Sequence, residues 1–75
     1  MLTLTLESTP MLNTAGLLRW AMNGYKFKKD RKRLRRVFTE GFTHPRLTDE
    51  VVDRLLKGEL PHKIDGENVV IELPD

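Results

Sequence analysis

The stretch "LTDEVVDRLLKGELPHKIDGENVVIEL", residues 47–73, leaves the chain little choice of architecture. Thr48 is an N-cap whose hydroxyl can accept a first-turn N–H, and Asp49 and Glu50 follow where the helix dipole favours acids. Leu47, just before the cap, is placed to staple onto Val52. Val51, Val52, Leu55 and Leu56 form one apolar side, Lys57 closes the last turn, and Gly58 stops the helix. Two strand-like runs, "LPHKI" and "NVVIEL", then flank Asp65-Gly66-Glu67, a compact hairpin signal. Val69, Ile71 and Leu73 alternate with Val70 and Glu72, so the last strand buries one face. A helix feeding straight into an antiparallel hairpin predicts an α+β fold.

The rest of the chain completes that fold. "LTLTL", residues 2–6, alternates with period two and predicts a strand with Leu2, Leu4 and Leu6 inward. "STP" opens a helix, with Thr9 or Ser8 as N-cap and Pro10 at the first helical position. Met11, Ala15, Leu18, Met22 and Tyr25 recur at helical spacing as one apolar stripe, and Asn23-Gly24 ends it. A second helix, residues 26–40, starts near Tyr25 and places Phe27, Leu34, Val37 and Phe38 on one third of its circumference. Gly41 stops it, and His44-Pro45 forces an extended step. The expectation is one small domain over residues 1–75, β-α-α-α-β-β, with three helices packed on a short antiparallel sheet. The C-terminal hairpin and the N-terminal strand together make that sheet.

Seventy-five residues are near the lower limit for unaided folding, with a net core contribution of about 3–5 kcal/mol. The absence of cysteine excludes disulfides, thiolate zinc sites and cysteine nucleophiles. No apolar run approaches the roughly 18 residues of a membrane span, and "MLTLTLESTP" lacks the basic and apolar regions of a signal peptide. A cytoplasmic protein with no membrane partner is expected.

Charge is segregated along the chain. Residues 1–25 sum to zero, residues 26–36 to +7, and residues 37–75 to −5. The basic block "KFKKDRKRLRR" carries Lys26, Lys28, Lys29, Arg31, Lys32, Arg33, Arg35 and Arg36 against Asp30. On a helix, Lys26, Lys28, Lys29, Lys32, Arg33, Arg35 and Arg36 fill the half opposite the apolar third, so the segment is amphipathic. Lys28, Lys32 and Arg36 align at i, i+4 and i+8. Clustered cations on a fixed scaffold suit phosphate, and contact with four or five phosphates on duplex DNA gives a log K versus log salt slope of about −4. A merely solvated face would interleave Glu with Lys, because like charges at i, i+4 repel. The bland alternative is that the acidic C-terminal half neutralises the basic block within the fold or across a homodimer.

Other constellations are weaker. Trp20 is expected to lie under a neighbouring strand or loop; exposed, Trp20 with Arg19 would mark a protein-binding patch. His44 and His62 each adjoin a proline and lack companion ligands, so no metal or other cofactor is expected. Ser8 is the only serine, and no nucleophile has a base at a suggestive spacing, so neither an enzyme nor a small-molecule substrate is expected.

The pieces Leu55, Gly58, Glu59, Leu60, Pro61, Ile64, Gly66 and Ile71 resemble the helix-plus-wing part of excisionase-type and MerR-like winged helix-turn-helix domains. The resemblance spans residues 47–74, about a third of the chain. It implies DNA binding, with a helix in the major groove and a hairpin wing on the backbone. This chain departs from that pattern with Asp49, Glu50 and Asp53 on the helix and Asp65 and Glu67 at the wing tip, so DNA contact is assigned to helix 26–40 instead. The short, densely charged chain also resembles the small host-directed proteins of bacterial viruses. Two functions follow from these readings. One is a non-enzymatic regulator holding nucleic-acid phosphates, DNA or RNA, with the eight cations of the central block. The other is a modulator or inhibitor whose basic face docks on an acidic protein surface.

Overall fold

The computed structural model describes residues 2–73. In chain order it has β1 (Leu2–Leu6), α1 (Thr14–Gly24), α2 (Lys28–Gly41), α3 (Asp49–Leu56), β2 (His62–Asp65) and β3 (Asn68–Leu73). The strands form one antiparallel sheet in the order β1-β3-β2, with β3 central. Leu2 faces Leu73, Leu4 faces Ile71 and Leu6 faces Val69, while Ile64 faces Val69 from the other side. Leu4, Leu6, Val69, Ile71 and Leu73 bury one face of the sheet, and Thr3, Thr5, Lys63 and Glu72 leave the other open. The three helices cover the buried face through Leu18, Ala21, Leu34, Phe38, Val52, Leu55 and Leu56. This is the predicted β-α-α-α-β-β arrangement. No helix among the described residues is long and apolar enough to cross a membrane.

The third helix ends as its sequence dictates. Thr48 Oγ1 accepts the Val51 N–H at 3.3 Å, and Leu47 is buried beside the helix start. At the other end Gly58 takes a φ of +78°, its N–H reaching the Leu55 carbonyl at 3.1 Å and that of Glu59 the Arg54 carbonyl at 2.9 Å. These are the two bonds of a Schellman stop, and the left-handed residue between them is the glycine that can adopt it without strain. Gly66, at φ +65°, opens the two-residue hairpin loop.

The first helix departs from expectation. Pro10 is not its first residue; α1 opens at Thr14, where Asn13 accepts the Gly16 N–H at 2.9 Å. Thr9 and Leu12 instead exchange two backbone bonds of 3.0 and 3.1 Å in a tight turn, leaving Met11 95% exposed and outside the apolar stripe. Ser8 is occupied elsewhere. Its hydroxyl accepts the Thr14 N–H at 2.9 Å and donates to the Glu67 carbonyl at the hairpin tip, while its N–H donates to Asn68 Oδ1 at 2.8 Å. Ser8 thus ties the last hairpin to the N–H of the first residue of α1 from six residues away, and the N-cap position itself falls to Asn13, among the strongest N-cap types.

The second helix also starts later than expected. Tyr25 N–H returns to the Met22 carbonyl and Phe27 N–H to that of Gly24, so the chain turns through residues 25–27 before α2 begins at Lys28. Tyr25 swings into the core and Phe27 out of it, to 51% exposure. Phe27 therefore does not belong to the buried third.

Candidate nucleic-acid interface

The helix that carries the cations is held on both flanks. Leu34 and Phe38 sit in the core, and Val37 packs against its margin. At about 100° per residue, Arg31 and Arg35 lie close beside Phe38 on one flank, and Lys28, Lys29, Lys32, Arg33 and Arg36 occupy the opposite, outward arc. That geometry splits the eight cations of the basic block into three groups.

The outward group is Lys28, Lys29, Lys32, Arg33 and Arg36, all exposed. The three lysines make no ion pair with a described residue. Arg33 meets Asp30 at 3.3 Å and Arg36 meets Glu40 at 3.2 Å, but the two guanidinium side chains stay 70% and 63% exposed. Exposed pairs of this kind contribute little and yield to a stronger anion. Five cations against two carboxylates leave this face with a formal surplus of three positive charges. Lys29, Lys32, Arg33, Arg36, Val37 and Glu40 line a shallow groove of about 500 Å³ along it.

The second group is turned inward and serves the fold. Arg35 Nη1 donates to the Tyr25 hydroxyl at 2.8 Å, and its Nε donates to Asp49 at 3.1 Å. The Tyr25 hydroxyl in turn donates to Asp53 Oδ1, and Lys57 Nζ closes on Asp53 Oδ2 at 3.0 Å. Burial and the Asp53 carboxylate push the Tyr25 hydroxyl above its ordinary range. The Tyr25 and Lys57 hydrogen bonds hold the Asp53 carboxyl below its own. The Tyr25 hydroxyl, aided by Asp49, raises the Arg35 guanidinium. Arg31 is likewise engaged, donating to the Tyr25 carbonyl at 2.7 Å with its guanidinium 5.1 Å from the Tyr25 ring centre. Lys26 stands alone in the third group: it precedes α2, with its ammonium 5.2 Å from the Phe27 ring centre.

The sequence had placed Arg35 and Lys26 on the free half of the helix. Both leave it, Arg35 because it borders the core stripe where α3 presents Asp49 and Asp53, Lys26 because the helix has not yet begun. The acidic α3 thus neutralises part of the basic block inside the fold, as the bland alternative held, while the outward arc keeps its surplus. Tyr25 is the organiser that sequence reading did not single out; its stripe position marked it as core, with nothing to reveal a polar tip shared by α2 and α3. Val37 and Glu40 were also missed as groove walls, although both sit within one turn of Arg33 and Arg36.

Trp20 overturns its expected burial. It lies on α1 at 54% exposure, with Arg19 exposed beside it. His44 Nδ1 accepts the Arg46 N–H at 3.0 Å, and His62 Nδ1 lies 3.1 Å from the Leu60 carbonyl, so each ring is engaged by backbone two residues away. Among the described residues no three His, Asp or Glu side chains gather as metal ligands would.

Compared with known proteins, the chain matches no protein family, no curated protein and no solved structure.

Proposed function

We propose that this protein is a small non-enzymatic regulator that binds nucleic-acid phosphates through the outward face of α2. One observation carries the reading. Lys28, Lys29, Lys32, Arg33 and Arg36 project from one arc of a 14-residue helix whose opposite side is locked into the core. A rigid helix presents these charges without the ordering cost a flexible basic tail would incur. The shallow groove between the arginines and Val37 offers a track for a backbone, and no Asn or Gln lies among the cations to read base edges. Binding is therefore governed by charge, with little sequence preference.

Titration of labelled duplex and single-stranded DNA and RNA at several salt concentrations tests this. Contact with three to five phosphates gives a log K versus log salt slope of about −3 to −4.5 on duplex DNA. The double variant Lys32→Glu with Arg36→Glu, which touches no buried contact, abolishes the binding while the circular dichroism and melting temperature stay near those of the parent. No binding at low salt, or binding that survives the double reversal, removes the proposal.

The exposure of Trp20 beside Arg19 favours a second reading, in which the protein modulates a protein partner. There the α2 face docks on an acidic surface and Trp20 anchors a separate contact. A partner recovered by the parent protein but lost on Trp20→Ala, with nucleic acid ignored by both, selects it.

A further inference from the structure

The sheet has two edges, and they are built differently. β2, on one side, is four residues long, follows Pro61 and carries Lys63 and Asp65 pointing to solvent. Charges and proline are the usual protection against unwanted strand pairing. β1, on the other side, has none of this: Leu2–Leu6 holds no charge, no proline and no glycine, and it pairs with β3 in unbroken register without a bulge. Among the described residues, no backbone group of Leu2–Leu6 bonds to anything but β3. Leu2, at its start, remains 39% exposed.

The edge is also its own complement. "LTLTL" reads the same in both directions. A two-fold axis through Leu4 therefore places Leu2 opposite Leu6, Thr3 opposite Thr5 and Leu4 opposite itself. Leucine meets leucine on the buried face and threonine meets threonine on the open face, as an isologous contact requires. Cross-strand Thr pairs hydrogen-bond, and Leu pairs continue the apolar layer. Glu7, the first charge after the strand, falls at opposite ends of the pair and meets no copy of itself.

We propose that β1 pairs antiparallel with β1 of a second copy of this chain, joining two three-stranded sheets into one of six strands. The axis stands perpendicular to the sheet, so both helix layers lie on the same side and two outward α2 faces share that side. Five residues of edge pairing make a contact below the ~1,000 Å² of a stable interface, so the dimer is weak and concentration-dependent.

Sedimentation equilibrium of the full chain from low to high micromolar concentration tests this independently of any nucleic acid. The weight-average mass rises from one chain toward two in the parent. Thr3→Lys with Thr5→Lys sets lysine against lysine at both pairs and holds the protein at the monomer mass. Thr3→Lys with Thr5→Glu sets a lysine of one copy against a glutamate of the other at both pairs and restores the rise. Thr3 and Thr5 are exposed in the monomer, and circular dichroism of each variant confirms that the fold is kept. A parent that stays monomeric throughout, a dimer that persists in the double-lysine variant, or a folded lysine–glutamate variant that stays monomeric overturns the proposal.

Discussion

Tyr25 shows how much one hydroxyl can organise in a domain of this size. Its ring is 2% exposed, and its hydroxyl joins Asp53 of α3 to Arg35 of α2. Hydrogen bonds to charged partners contribute about 1.5–3 kcal/mol, so Tyr25→Phe should cost about 2 kcal/mol in urea unfolding with the ring packing kept. The same bond makes stability depend on pH. Because the folded Asp53 carboxyl sits below its unfolded value, its contribution is complete above the ordinary aspartate range and is lost as pH falls through the folded value. The folded Tyr25 hydroxyl sits above its unfolded value, so its contribution is complete below the ordinary tyrosine range and is lost as pH rises through the folded value. Unfolding measured across pH should show both limbs in the parent, and both should flatten in Tyr25→Phe. None of this network was legible in the chain. Tyr25, Arg35 and Asp53 are up to 28 residues apart, and only the packing of α2 on α3 makes them neighbours.

Among the elements, those whose signals agree at every level were read correctly. Thr48 and Gly58 each have one local role, and they bracket α3 at its two ends. The alternation in β3 names its buried face because a two-residue period allows only two answers. The start of α1 failed for the opposite reason. Ser8 and Pro10 form a valid local opening signal, but Ser8 is drawn to the hairpin by bonds across about sixty residues, and long-range satisfaction outweighed a local cap. The capping role of Asn13 can be checked directly. Asn13→Ala should destabilise by about 1 kcal/mol and fray the first turn of α1 in amide exchange, whereas Pro10→Ala should be close to neutral. The basic block was legible as an amphipathic helix but not in its division, since a helical wheel shows which residues flank the core without showing what waits there. Trp20 was misjudged on similar grounds. Three helices laid on a single sheet face leave the far side of α1, where Trp20 sits, open among the described residues.

At the scale of the whole molecule, the core is thin enough that single residues matter. Phe38 is 0% exposed in the last turn of α2 and stacks on Phe42 with ring centres 5.7 Å apart. Truncating a buried phenylalanine to alanine costs about 3–5 kcal/mol, comparable to the entire stability of a domain this small. Phe38→Ala should therefore leave most of the protein unfolded at room temperature, seen as lost near-ultraviolet dichroism. Phe27→Ala, at a half-exposed ring, should leave it folded. The hairpin tip has a different consequence. The loop at Gly66-Glu67 would ordinarily be the loosest point of such a molecule, yet the Glu67 carbonyl takes the Ala15 N–H and the Ser8 hydroxyl. The turn between β2 and β3 is thus the clasp that fastens the first helix. A nascent polypeptide cannot close that clasp until Glu67 has been made, so the segment from Ser8 to Ala15 must wait, exposed, for the hairpin to arrive.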